Sequence, residues 1–105
     1  MKLLYVAGPY RGITDDEVYE NIQTARRRAK NYWQRGFAVF CPHLNTSFFS
    51  GVVDETQFTD AGLLFLAKCD VIALPLNWEL SRGTVDEAIY AEKLGLEFIK
   101  ENELQ

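Results

Sequence analysis

The chain has 105 residues, of which 48% are hydrophobic and 25% charged, with a formal net charge of −4. This is the size and balance of a single soluble globular domain, and residues 1–105 are read as one. The acidic balance offers no broad electrostatic footprint for nucleic acid, and no apolar run approaches the ~20 residues of a membrane span. Met1-Lys2 leads straight into Leu-Leu-Tyr-Val-Ala-Gly, too short for a secretory signal, so a cytoplasmic protein is expected.

Leu3-Leu4-Tyr5-Val6-Ala7 is a buried-strand pattern ended by Gly8-Pro9. Thr14-Asp15-Asp16-Glu17 supplies a cap and acids for a helix whose apolar stripe runs through Val18, Ile22, Ala25, Ala29 and Trp33. Arg26, Arg27, Arg28 and Lys30 then belong to its solvated face, and Gly36 stops it. Phe37 to Cys41 reads as the second strand, closed by Pro42-His43, and residues 44–56 as a loop long enough to be functional. A second helix is expected from Thr56 to Lys68, burying Phe58, Leu64, Phe65 and Ala67. Asp70 to Leu74 is the third strand, Asn77 to Leu80 a loop, Thr84 to Leu94 the third helix, and Leu96 to Ile99 a last strand before a polar tail.

Apolar strands alternating with helices predict an α/β fold, a small doubly wound, flavodoxin-like or Rossmann-like parallel sheet of about four strands with helices on both faces. Ligands of such sheets collect beyond the carboxyl ends of the strands. Those ends are Gly8-Pro9-Tyr10-Arg11-Gly12, Pro42-His43 and the segment from Leu76 to Gly83. Cys41 and Cys69 sit in apolar segments without metal-ligand spacing and read as reduced core cysteines. No metal cluster and no cofactor motif is visible.

Several residues at this edge carry chemistry or bland structural duty equally well. Thr84-Val85-Asp86-Glu87 matches a capping box, which would make Glu87 a helix cap. Ser81, Arg82 and Gly83 before it open a helix N-terminus to an anion, and a carboxylate in that first turn should stay ionised beside the dipole. An ionised, oriented carboxylate next to an anion site is what a carboxylate nucleophile needs. Arg11 offers a fork for a phosphate, or is merely an exposed turn residue. Asp60 complements a helix dipole, His43 and Tyr5 suit structural places, and Trp78 either stacks on a base or covers the core.

Together, Tyr5-x-Ala7-Gly8-Pro9-x-Arg11-Gly12, Asp60 nine residues before Cys69, and Ser81-x-Gly83-Thr84-x-x-Glu87-x-x-x-Ala91 resemble the nucleoside 2-deoxyribosyltransferase superfamily, over Leu3 to Phe98. The serine six residues before Glu87 is similar to the nucleoside 5′-monophosphate N-glycosidase branch, where the transferases have an aspartate. The segment from Leu74 to Gly83 also resembles small, largely uncharacterised phage and bacterial members.

The resemblance implies that Glu87 is a nucleophile on C1′ of a ribose or deoxyribose, with Asp60 assisting proton transfer or positioning the sugar and base, and Tyr5 orienting Glu87. It implies a 5′-phosphate held by Arg11, Ser81 and the backbone at Gly83. Gly8, Pro9, Gly12, His43 and Trp78 complete the expected substrate-binding set. The expected activity is hydrolysis of the N-glycosidic bond of a (deoxy)nucleoside 5′-monophosphate without a cofactor. A non-catalytic nucleotide-binding module and base transfer on a deoxyribonucleoside are the alternatives. The expected partner is a small nucleotide or nucleoside, with neither nucleic acid nor membrane. Since sites in this superfamily are often completed by a neighbouring subunit, a homodimer is plausible, with Asn102 or the terminus as stand-in.

Overall fold

The computed structural model describes residues 1–102. Four parallel strands, β1 (Leu3–Val6), β2 (Ala38–Phe40), β3 (Val71–Leu74) and β4 (Glu97–Lys100), stand in the order β2-β1-β3-β4. Helix α1 (Asp15–Gln34) covers one face, while α3 (Glu55–Leu66) and α4 (Arg82–Leu94) cover the other. A short helix, α2 (Pro42–Asn45), follows β2, and a 3₁₀ turn (Trp78–Leu80) follows β3. The predicted doubly wound α/β sheet is therefore present. The functional loop is shorter than expected, because Pro42 starts a helical turn where a loop was read. The last residues of the polar tail, and with them the terminus considered for completing a site, lie outside the described residues.

The alternation of a strand places its side chains on both faces. Leu4 and Val6 enter the α1 side of the core, and Tyr5 and Ala7 the α3/α4 side. Thr14 caps α1, its hydroxyl accepting from the Glu17 backbone N–H at 3.2 Å, and Gly36 at φ +93° takes the left-handed conformation that ends the helix.

The buried stripe of α1 is Ile22, Ala25, Ala29 and Tyr32; Trp33, predicted inside, is 56% exposed. Tyr32 wins because its hydroxyl reaches a buried partner, Glu101 Oε2, at 2.6 Å. On α3 the expected core also shifts. Leu64 is 72% exposed, Phe65 and Ala67 are exposed, and the packed face runs through Gly62, Leu63 and Leu66. The second half of α3, Ala61 to Leu66, is an unbroken apolar run, so periodicity there does not single out a face. Phe65 instead stacks its ring on Phe40, centroids 4.4 Å apart. Cys41 and Cys69 are buried and free, with both thiols pushed up by burial, Cys69 to about 11.

Candidate active site

At the carboxyl edge, the site is built around a carboxyl held by a tyrosine. Tyr5, near the end of the central strand β1, is 1% exposed, and its hydroxyl donates to Glu87 Oε2 on α4. Gly62 on α3 closes the third side: a Cβ there would stand 3.3 Å from Tyr5 Oη.

Helix α4 begins earlier than its sequence suggests, and this changes the reading of Glu87. Ser81 is the N-cap, its Oγ accepting from the Thr84 backbone N–H at 3.4 Å and from Thr84 Oγ1 at 2.9 Å. Thr84 is buried and belongs to the first turn, so the Thr84–Glu87 capping box does not form. Glu87 lies in the second turn, past the free N–H groups, and its partner is Tyr5. A second expectation also fails, that of a carboxylate kept fully ionised by the dipole. Burial pushes the Glu87 carboxyl up to about 7, against the Tyr5 hydrogen bond, which pulls it down; the Asp86 charge adds a further upward push. Desolvation outweighs the dipole because Glu87 sits beyond the turn where the dipole is felt. The Tyr5 hydroxyl is raised far above its ordinary value, by burial first and then by the Glu87 charge and hydrogen bond, so it stays a donor.

The other predicted residues divide into three groups. Ser81 and Gly83 open α4 beside the pair, and a Cβ on Gly83 would meet nothing within 4 Å, so that turn of backbone is open to a ligand. Gly8, Pro9 and His43 gather at the end of β1 on the α1 side, where the His43 Nε2–H donates to the Pro9 carbonyl at 2.9 Å. His43 is buried and its ring is held neutral chiefly by desolvation. The remaining four meet other groups or solvent. Arg11 is exposed and ion-paired with Glu55. A Cβ on Gly12 would lie 2.4 Å from Glu17 Cβ, so this glycine lets the first loop pass close to α1. Trp78 packs on the α3/α4 core with the Lys100 ammonium 5.9 Å from its ring centroid. Asp60 is exposed on α3.

Two residues that shape this edge escaped the sequence reading. Gly62 was legible as an isolated glycine inside a helical pattern, which marks a close approach. Arg28, assigned to the solvated face, is only 12% exposed at its side chain. Its Nη1 donates to the Ala7 carbonyl at 2.6 Å, its Nη2 to Ala73 at 3.2 Å, and its Nε to Glu101 Oε1 at 2.7 Å. The signal was its register, three residues after Ala25 and four before Tyr32, on the buried stripe.

A β2-β1-β3-β4 parallel sheet with helices on both faces defines the class, a flavodoxin-like α/β domain, and a tyrosine-held carboxyl stands at its carboxyl edge. Residues 2–100 match the family described as "Domain of unknown function (DUF4406)", and the chain belongs to that family. Among solved structures it is similar to a 2-desoxiribosyltransferase from Leishmania mexicana, at 21% identity and a TM-score of 0.63. The match covers 95% of this chain and 63% of that one, so this chain spans less than two thirds of its length. The fold implied by the sequence motifs is thus the fold present. Curated proteins give no match.

Proposed function

We propose that this protein cleaves the N-glycosidic bond of a nucleoside 5′-monophosphate, with Glu87 as nucleophile. The observation that supports it best is the Tyr5–Glu87 hydrogen bond: a partly buried acid oriented by a residue of the central strand, next to the open first turn of α4. In this reading the ionised Glu87 attacks C1′, the C–N bond breaks, and the base leaves with the bonding pair and takes up a proton. Water then attacks C1′, gives one proton to the medium, and releases the sugar phosphate and the free carboxylate. Tyr5 holds Glu87 in one rotamer. The amides around Gly83 and the Ser81 hydroxyl receive the 5′-phosphate, with the dipole of α4 favouring its charge.

Asp60 is the weak member of the set. Its exposure on α3 favours a second reading, a nucleotide-binding domain that does not cleave. The test is free-base release from a panel of ribo- and deoxyribonucleoside monophosphates, with Glu87→Gln alongside. Release that disappears in a folded variant supports the glycosidase. Release that persists removes Glu87 from the chemistry, and saturable nucleotide binding without release selects the second reading. A base-acceptor arm separates hydrolysis from transfer.

A further inference from the structure

Ser81 and Thr84 stand three residues apart, at the N-cap and in the first turn of α4. Each carries a hydroxyl, which has one hydrogen to give and two lone pairs to receive with. The fold treats the two unequally: Thr84 is 1% exposed, while Ser81 is only partly buried.

The buried hydroxyl decides how the pair is wired. Among the described residues, Thr84 Oγ1 has a single hydrogen-bond partner, Ser81 Oγ at 2.9 Å. A buried O–H that gave its hydrogen to nothing would carry the full desolvation penalty, so Thr84 donates and Ser81 accepts. The Thr84 backbone N–H points at the same oxygen from 3.4 Å. Both lone pairs of Ser81 Oγ are thereby taken. Its own hydrogen has no acceptor among the described residues. It belongs to a turn with open space beside it, where a Cβ on Gly83 would meet nothing within 4 Å.

An unconstrained serine serves ligands of either kind, turning its hydroxyl to donate or to accept. One whose lone pairs are filled only donates. It then favours an oxygen that carries no hydrogen. A phosphate monoester, whose second ionisation has a pKa of about 6, presents three of these at neutral pH.

We propose that Thr84 is a positioning residue for the phosphate end of the site: its buried hydroxyl locks Ser81 as a donor and so selects a doubly ionised phosphate monoester. This rests on the reading of Ser81 and Gly83 as the phosphate subsite, and it gives Thr84 no contact with the substrate.

Ribose 5-phosphate tests the assignment without calling on Glu87, since it carries no base to release. Its dissociation constant is measured calorimetrically at neutral pH for the full-length wild type, Thr84→Val and Thr84→Ser, with melting temperatures alongside. Thr84→Val keeps the shape and loses the hydroxyl. Ser81 regains a lone pair and a free rotor, and affinity should fall ~3–10-fold, the worth of one neutral hydrogen bond. Thr84→Ser keeps the hydroxyl and loses a buried methyl, so it should bind as wild type does but melt a few degrees lower. The two orders are opposite: binding places valine last, and stability places serine last. A role in packing alone would move binding only together with stability. In a Ser81→Ala background, Thr84→Val should have no further effect on binding.

Thr84→Val binding as tightly as wild type would overturn the proposal, and so would affinities that follow the melting temperatures. Tighter binding by Thr84→Val would overturn it as well, by showing that Ser81 gives its hydrogen to Thr84. A wild type that does not bind ribose 5-phosphate would remove the phosphate subsite and the role of Thr84 together. Base release from a monophosphate whose KM is the same in Thr84→Val sinks Thr84 alone. The expected binding pattern without any base release sinks only the Glu87 reading.

Discussion

Gly62 leaves the Tyr5 hydroxyl little room to spare: a Cβ added there would lie 3.3 Å from the hydroxyl oxygen, tighter than most real side-chain contacts. Helix α3 is thereby a wall of the site, its backbone passing close to the atom that holds Glu87. In an ordinary helix interior Gly→Ala stabilises by up to ~1 kcal/mol. Here crowding offsets that gain, so Gly62→Ala should melt within a few degrees of wild type while displacing the hydroxyl. Base release should drop several-fold, and unchanged release would reduce Gly62 to a packing residue.

Tyr5→Phe removes the hydroxyl and keeps the ring that stacks on Phe40. The lost hydrogen bond is the influence that lowers the Glu87 carboxyl, so its titration should move above about 7. Ionised Glu87 would then be scarcer at neutral pH, and the rising limb of the pH–rate profile should shift upward. An unchanged limb, with ¹³C titration of the carboxyl also unmoved, would mean that the bond does not tune Glu87.

What was legible in the sequence followed from strong local patterns. Continuous apolar runs such as Leu3 to Ala7 and Val71 to Leu74 fit strands buried on both faces, and Gly36 and Gly95 both adopt the positive φ that stops a helix. Glu87 and Tyr5 were legible by motif, and the structure brings them into contact. What failed was competition between near-equal local options. Ser81 and Thr84 both suit an N-cap, and tertiary packing settled the choice by burying Thr84. Arg28 and Glu101 were illegible as a pair, because nothing local marks a contact across 73 positions.

Glu87 should cost stability as well as supply chemistry. Its folded pKa, about 7, is above the ordinary 4.5, so the unfolded chain gives up this proton first as pH rises. Stability therefore falls between those two values and stays reduced above them, and below both the group contributes nothing. Glu87→Gln removes the buried charge and should be the more stable protein at pH 8, by ~1–3 kcal/mol, with the gain shrinking toward pH 4. Paired melting curves at the two pH values check this. A variant less stable than wild type at pH 8 would show that Tyr5 and its surroundings compensate the charge fully.

The Arg28–Glu101 pair predicts the opposite sign. Both side chains are 12% exposed, the bond is 2.7 Å, and Tyr32 donates to the second carboxylate oxygen at 2.6 Å. Removing one partner leaves the other charge buried and uncompensated, at a cost of roughly 3–5 kcal/mol. Glu101→Ala should lower the urea midpoint accordingly. A loss below ~1 kcal/mol would class the pair with exposed ones.

Arg11 tests the phosphate assignment from the side of the protein that the fold does not need. It is 77% exposed at its side chain and its partner Glu55 is 61% exposed, so the ion pair contributes under ~1 kcal/mol. Arg11→Ala should leave the melting temperature nearly unchanged. If Arg11 leaves Glu55 to grip a 5′-phosphate, the same change should raise the KM of a monophosphate ~10-fold or more, with little effect on its nucleoside. Glu55→Gln should then lower that KM, because the guanidinium no longer has a competing carboxylate. Equal effects on nucleotide and nucleoside would take Arg11 out of phosphate recognition and leave the first turn of α4 as the anion site.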